Sequence, residues 1–588
     1  MSPTNDRLAL ASAQDDATAA DWERATAAVL RKSGRLRAED PDHLVWEKLA
    51  RTTLDGIAVP PIGNMSAAAA DVEDTGAGAG ARPLRAGAWD IRAHFVGPDH
   101  AEANDAALVD LANGVTSLWL ELGQGLDVEG LPALLAGVHL DLAPVILDAP
   151  GQRLAAARAL LDLLGEKEIS VPAPGTNLGA AWDDDSLVEI ARLALDRGTL
   201  GVVVDATAVH DLGASDAQEL GYALAVGATV LRALTGAGLS LEEALGLIEF
   251  RYAATDEQFP TIAKLRAARR LWSRVVELSG GGPGADVQRQ HAVTSRPMMS
   301  KYDPWVNMLR TTVAAFAAGV AGADSITVLP FDAPLGLPDA LGRRNARNTS
   351  SLLIAESHVA AVTDPAGGSY AVERLTDDLA VAGWAELGRI EESGGIAAAL
   401  ADGSLQARID SVVAARDAEV ARRKRPLTGV SEFPNLGETL PTRTPHPSAD
   451  AVRRYGAPFE ALRDDPAERP VFLATMGPIA QHTARATFAT NLLAAGGIAV
   501  EAAGATAGVE EVLAAYAGQP VALLAGTDQS YAEWGAPLVA ALREAGATRV
   551  VVAGKPAELG VDDSCAMGVD ALDFLARTRA ALTKEAVQ

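Results

Sequence analysis

Sulfur and positive charge are scarce in this sequence. Its 588 residues include one cysteine, Cys565. That excludes an internal disulfide framework and any cysteine-rich metal centre, and leaves the thiol as a small apolar filler. Lys and Arg number 50 against 77 Asp and Glu, a formal charge of −27. So acidic a surface repels phosphate backbones, which excludes nucleic acid as an expected partner. The acidic residues are spread along the chain, as in a folded globular protein, rather than gathered in a tail. No uncharged apolar run reaches 18 residues, and the first residues, MSPTNDR, have no apolar core of a signal segment. The expectation is a cytoplasmic protein with no membrane partner.

What is present is length and rhythm. A chain of this size exceeds one ordinary core, so two or more domains are expected. Residues 1–85 form an arm with one amphipathic stretch at about 21–37 and a low-complexity run at 67–81 that reads as a flexible link. From Trp89 short apolar runs recur at 89–96, 115–121, 142–148, 168–172, 200–206, 247–253, 286–294 and 324–330. Helical patterns follow them at 101–113, 129–138, 152–164, 184–197, 215–236, 257–278, 302–320 and 339–358. Strands alternating with helices imply parallel βαβ units, and eight in succession predict a (β/α)8 TIM barrel over 86–420. An open doubly wound sheet is the alternative.

Residues 421–468 break the rhythm. The basic tetrad RRKR at 422–425, FPN at 433–435 and PTRTPHP at 441–447 read as a solvated, extended, Pro-rich linker. Alternation resumes over 469–588, with strand-like runs at 470–476, 498–503, 520–525, 548–553 and 561–566 and a last helix at 569–583. This is a compact doubly wound α/β domain, whose ligand edge would be the carboxyl ends of its strands.

Several segments stand out. Residues 259–272 read FPTIAKLRAARRLW, in which Ile262, Leu265, Ala268 and Leu271, with Val275 beyond, form an apolar helical stripe. Lys264, Arg266 and Arg270 lie off that stripe and read as a solvated face. Arg347-Asn-Thr349 precedes DPAGGSY at 364–370 and VERL at 372–375, where the paired glycines are a permissive turn. GVSEFPN at 429–435 leads to PFEALR at 458–463. The glycine-rich run 280–284 lacks a following Lys-Ser/Thr and precedes a strand, so it is a connecting loop.

In order and spacing these segments resemble the methylmalonyl-CoA mutase family, from about residue 40 to the end. The resemblance implies a barrel followed by a flavodoxin-like doubly wound domain of the cobalamin-binding type. It also implies a radical rearrangement that moves a carbonyl-CoA group between adjacent carbons, driven by adenosylcobalamin. The family's Asp-x-His-x-x-Gly turn, whose His ligates cobalt, falls here at Ile479, Gln481 and Ala484. His482 is one residue past the ligand position and reads as a surface or capping residue. The family's Ser-x-Leu beside the nucleotide tail falls at Gly526-Thr527-Asp528, and its Gly-Gly at Ala553-Gly554-Lys555.

The barrel departs in the same way. The thioester-binding His corresponds to Ala208 and the Tyr before it to Thr207, with His210 two residues on. The substrate-wedging Tyr corresponds to His94, and the Glu that meets the adenosyl group to Ala333. Trp119 on the second strand, pointing inward, would fill the axial channel that the family uses for CoA.

The resemblance is therefore greatest to the small, non-catalytic subunit of the bacterial heterodimeric enzyme of propionate metabolism. It implies a large catalytic subunit as partner, adenosylcobalamin held by that partner, acyl-CoA reached only through it, and no catalytic, cofactor or metal ligand in this chain. The arm, including VWEKL at 45–49 and 53–61, is expected to pack on the partner because it has little of its own to pack on. The alternatives are a free-standing acyl-CoA-binding or chaperone-like protein, and an active mutase with an unusual cobalamin mode.

Overall fold

The computed structural model describes residues 17–63, 85 and 87–583, apart from 98, 124, 283, 448, 556 and 557. The low-complexity run at 67–81 lies outside the described residues. A two-residue hairpin pair, β1 (Arg51–Thr52) and β2 (Ala58–Val59), precedes two parallel sheets.

The first sheet is a closed barrel of eight strands: β3 (Asp90–Phe95), β4 (Ser117–Glu121), β5 (Val145–Asp148), β6 (Asn177–Ala180), β7 (Leu200–Asp205), β8 (Ile248–Ala254), β9 (Arg289–Thr294) and β10 (Ser325–Thr327). Every pairing is parallel, and β10 closes on β3. The second sheet holds β11 (Val471–Thr475), β12 (Val500–Ala502), β13 (Val521–Ala525), β14 (Arg549–Ala553) and β15 (Asp563–Cys565) in the order β12-β11-β13-β14-β15. That order is the flavodoxin-like one, with its switch point between β11 and β13. Val471 and Leu473 enter one apolar cluster and Phe472 and Ala474 another, so both faces are covered by helices. That is why these strands read as continuous apolar runs. Among the described residues no helix is long and apolar enough to cross a membrane.

Seven of the eight expected barrel strands are found in place; the fourth is not. The run 168–172 forms no strand, and Val171 there is 73% exposed. The strand is β6, Asn-Leu-Gly-Ala, wholly buried. At Gly179, φ is +77° and an added Cβ would sit 2.1 Å from the Leu147 carbonyl oxygen. Glycine is required by that close approach, which hides the strand from β-propensity. The helical pattern at 129–138 shrinks to the single turn Leu131–Leu134.

The face carrying Lys264, Arg266 and Arg270 is not solvated. Lys264 is fully buried, 2.7 Å from Glu219 and 2.9 Å from Asp216. Arg266 pairs with Asp364 and Glu373, and Arg270 with Asp377. Asp216 and Glu219 sit in the first turn of the helix Asp216–Gly236, opened by a Ser215/Gln218 capping box. They hold the Lys264 ammonium charged against the opposing cost of burial.

The arm also differs from expectation, because it has a core of its own. Ala27, Leu30, Leu36 and Val45 are buried together, with the Trp22 and Trp46 rings 4.5 Å apart. The hairpin docks on its own barrel: Ala217 N donates to Asp55 Oδ1 at 3.3 Å. Residues 421–468 are likewise packed rather than solvated. Val430 and Phe459, the latter in the helix Ala457–Asp464, join the core beneath the second sheet. The Leu337 N–H donates to the Thr444 carbonyl at 2.8 Å, and Arg443 pairs with Asp332 and Asp339, so the segment straps the barrel mouth.

Candidate functional site

The bore of the barrel is filled by its own side chains. Arg92 on β3 donates twice to Glu249 on β8, at 2.9 and 3.1 Å, and to Ser117 on β4 at 3.1 Å. Above this lies Trp119, 2% exposed, which does point inward. Its ring stacks on His94 at 3.9 Å, meets His291 edge-on at 5.6 Å and carries the Arg251 guanidinium 3.9 Å from its centroid. β4 and β8 stand four places apart in a ring of eight, so the Trp119–Arg251 contact spans the diameter. Arg251 is anchored by Asp205 at 2.7 Å, Asp148 at 3.1 Å and His291 at 3.3 Å. Burial, with Arg92 and Arg251 nearby, pushes the His291 ring well below its ordinary value.

At the mouth of this plug three side chains converge. His94 Nε2 lies 3.0 Å from Glu121 Oε2, and the His446 ring stands 6.0 Å from that of His94. Burial pushes the His94 ring below its usual value, and burial together with His94 and Arg296 brings His446 down to about 4. Burial alone would raise the Glu121 carboxyl, but the hydrogen bond and charge of His94 hold it down to about 2. His446 lines a cavity of about 170 Å3 with Met299, Leu329 and Pro334, and a second of about 690 Å3 with His94, Ala333 and Arg343.

Of the barrel positions singled out in the sequence, His94 and Ala333 thus share one cavity. Thr207 and Ala208 do not join them. They follow β7, four places from β3 around the ring, in the short helix Thr207–Asp211. Thr207 is buried and its Oγ1 donates to Asp205 Oδ1 at 2.5 Å, while Ala208 is exposed. His210 is buried, 2.7 Å from Ser295 Oγ and 3.3 Å from Glu219 Oε2.

The second ligand edge is at the carboxyl ends of β11, β13 and β14. The helix Ile479–Ala495 begins at the first candidate position, so Ile479, Gln481 and Ala484 are helical and exposed. His482 is buried, not a surface residue, and its Nδ1 lies 3.1 Å from the Gly477 carbonyl oxygen. Arg485 reaches across the edge, donating to the Gly526 carbonyl at 2.8 Å and to Asp528 at 2.5 Å. Its guanidinium passes within 3.4 Å of where a Cβ on Gly554 would sit. Beneath it Tyr531 accepts from Gly526 N at 3.0 Å and donates to the Ala553 carbonyl at 2.8 Å, tying β13 to β14.

A corrin with a lower imidazole ligand does not fit these residues. Gln481 offers no imidazole, and Arg485, with Tyr531 beneath it, already lies across the edge. Cys565 is buried and its thiol is pushed up to about 12 by burial, as an inert filler.

Glu121, His446, Arg251 and Arg485 were not singled out in the sequence. Glu121 carried a signal, lying at the carboxyl end of a barrel strand, where such folds place functional groups, whereas Arg251 sits in the middle of β8. His446 and Arg485 carried none, since their partners are distant in the chain.

The model of the methylmalonyl-CoA mutase family matches residues 199–519. The methylmalonyl-CoA mutase small subunit of Streptomyces virginiae is 46% identical over 98% of each chain. A probable methylmalonyl-CoA mutase small subunit of Mycobacterium bovis is 42% identical over 92% of each chain. The small subunit from Propionibacterium freudenreichii subsp. shermanii is 34% identical over 98% of this chain and 96% of its own. With a barrel and a flavodoxin-like sheet in the expected order and likeness running the whole length, this chain belongs to the methylmalonyl-CoA mutase family.

Proposed function

We propose that this chain is the small, non-catalytic subunit of a heterodimeric, cytoplasmic, adenosylcobalamin-dependent methylmalonyl-CoA mutase. The holoenzyme interconverts succinyl-CoA and methylmalonyl-CoA. The large subunit holds the cofactor and performs the radical chemistry, and this chain supports it structurally. The four-part division at 85, 420 and 468 belongs to the same reading. The observation that carries it is the closed bore, Trp119 against Arg251 across the full diameter. An acyl-CoA chain threaded along the axis would have to displace a buried, doubly paired arginine. The absence of an imidazole at Gln481 and of hydrogen-bonding groups at Ala208 and Ala333 supports it further.

The test is purification of the chain from its native cell without a tag. A larger mutase subunit at one-to-one stoichiometry, with isomerase activity only in the complex, is the expected result. Isomerisation of succinyl-CoA by this chain alone would overturn the reading.

A further inference from the structure

We propose that His94, Glu121 and His446 bind one divalent transition-metal ion of the zinc class at the mouth of the closed barrel. Their ligand atoms all lie within 4.8 Å of one another, the one such group of three among the described residues. They come from three separate places: β3, the carboxyl end of β4, and the strap between the sheets. Ligands held about 2.0–2.2 Å from a tetrahedral ion stand about 3.3 Å apart. His94 Nε2 and Glu121 Oε2, at 3.0 Å, already approach that spacing. His446 closes the remaining gap by a small movement of the strap, which is held over the mouth by Arg443 on Asp332 and Asp339.

The surroundings suit a bound cation better than the nearby arginines suggest. Arg296 is paired to Asp211 at 3.0 Å, and Arg251 to Asp205 and Asp148. Stacking on Trp119 fixes the plane of the His94 ring, so little orientation is left to lose on binding. Two imidazoles and one carboxylate select zinc, cobalt or nickel over magnesium or calcium, which prefer all-oxygen shells. In the neutral ring, coordination through His94 Nε2 moves the ring proton to Nδ1, with no change in net protonation. The fourth position opens toward the cavities that His446 lines. The ion would link the strap to the first two barrel strands, a role separate from catalysis and independent of which subunit holds cobalamin.

The experiment uses the full chain, stripped with a chelator and titrated with Zn2+ by calorimetry, with Co2+ as an optical probe. One Zn2+ per chain is expected, and Co2+ should give visible bands of tetrahedral intensity that Zn2+ displaces. Glu121→Gln and His446→Ala should each weaken binding by roughly tenfold or more. His446 lies on the strap, outside the barrel core, so its variant keeps the fold, which near-ultraviolet circular dichroism checks. No stoichiometric uptake, or uptake unchanged in both variants because other histidines bind the ion, would overturn the proposal.

Discussion

The barrel mouth and the edge of the second sheet are both carboxyl ends of parallel strands, where such folds take their ligands. Both are closed by the chain's own side chains, but with different materials. The bore is closed by buried charge: Arg92 with Glu249, and Arg251 with Asp148 and Asp205, sealed by Trp119. The sheet edge is closed by one buried hydroxyl, Tyr531, beneath a pair whose carboxylate, Asp528, is 91% exposed. A closure built from buried ions cannot be opened without leaving a charge unpaired in low dielectric. A closure built from a surface pair is opened by water at little cost. The bore is therefore a filled core, whereas the sheet edge is only covered.

Four substitutions or conditions sharpen that contrast. Arg251→Met keeps much of the side-chain volume but strips Asp148 and Asp205 of their partner. Because both carboxylates retain some solvent, the expected loss is about 2–3 kcal/mol, below that of a fully buried pair. Denaturant unfolding of the isolated chain measures it, and a loss under half a kcal/mol would mean that the bore is not held by charge. Tyr531→Phe removes a single hydroxyl that satisfies Gly526 N and the Ala553 carbonyl. It should cost about 1–2 kcal/mol in the same assay.

The barrel rim also carries a half-buried acid, Asp55, from the docked hairpin. Burial, with Asp216 adding, pushes the Asp55 carboxyl up to about 6 against the pull of Ser215, the Ala217 N–H and Lys264. The docked hairpin thus keeps a proton that the free arm gives up near pH 4. Its docking is favoured at low pH and loses about tenfold as pH rises from 5 to 7. Hydrogen exchange of residues 51–59, corrected for its intrinsic pH dependence, should show greater protection at pH 5. Equal or lower protection there would remove the acid from the account. The smallest effect is expected for Asp528→Asn, which should change stability by less than about 0.5 kcal/mol.

The two regions were also unequally legible in the sequence. Strand and helix rhythm gave both sheets away because apolar periodicity is local. The fourth barrel strand escaped because its demand is steric: Gly179 must let the Leu147 carbonyl approach, and no β-branched residue announces it. Lys264 read as solvated because its partners Asp216 and Glu219 lie more than forty residues earlier in the chain. His446 sat in a Pro-rich stretch that reads as linker, and only the folded chain carries it to His94. That position 481 is Gln rather than His could be read directly from the sequence. Arg485 and Tyr531 at one edge and Arg251 at the other were not legible, because each acts through contacts between separate strands or helices.

The central proposal is that neither edge of this chain receives the cofactor of its family. Isothermal titration of adenosylcobalamin into the purified full-length chain, without its partner, tests it most directly. The account predicts no saturable heat through the micromolar range. One-site binding at micromolar or tighter affinity would contradict it.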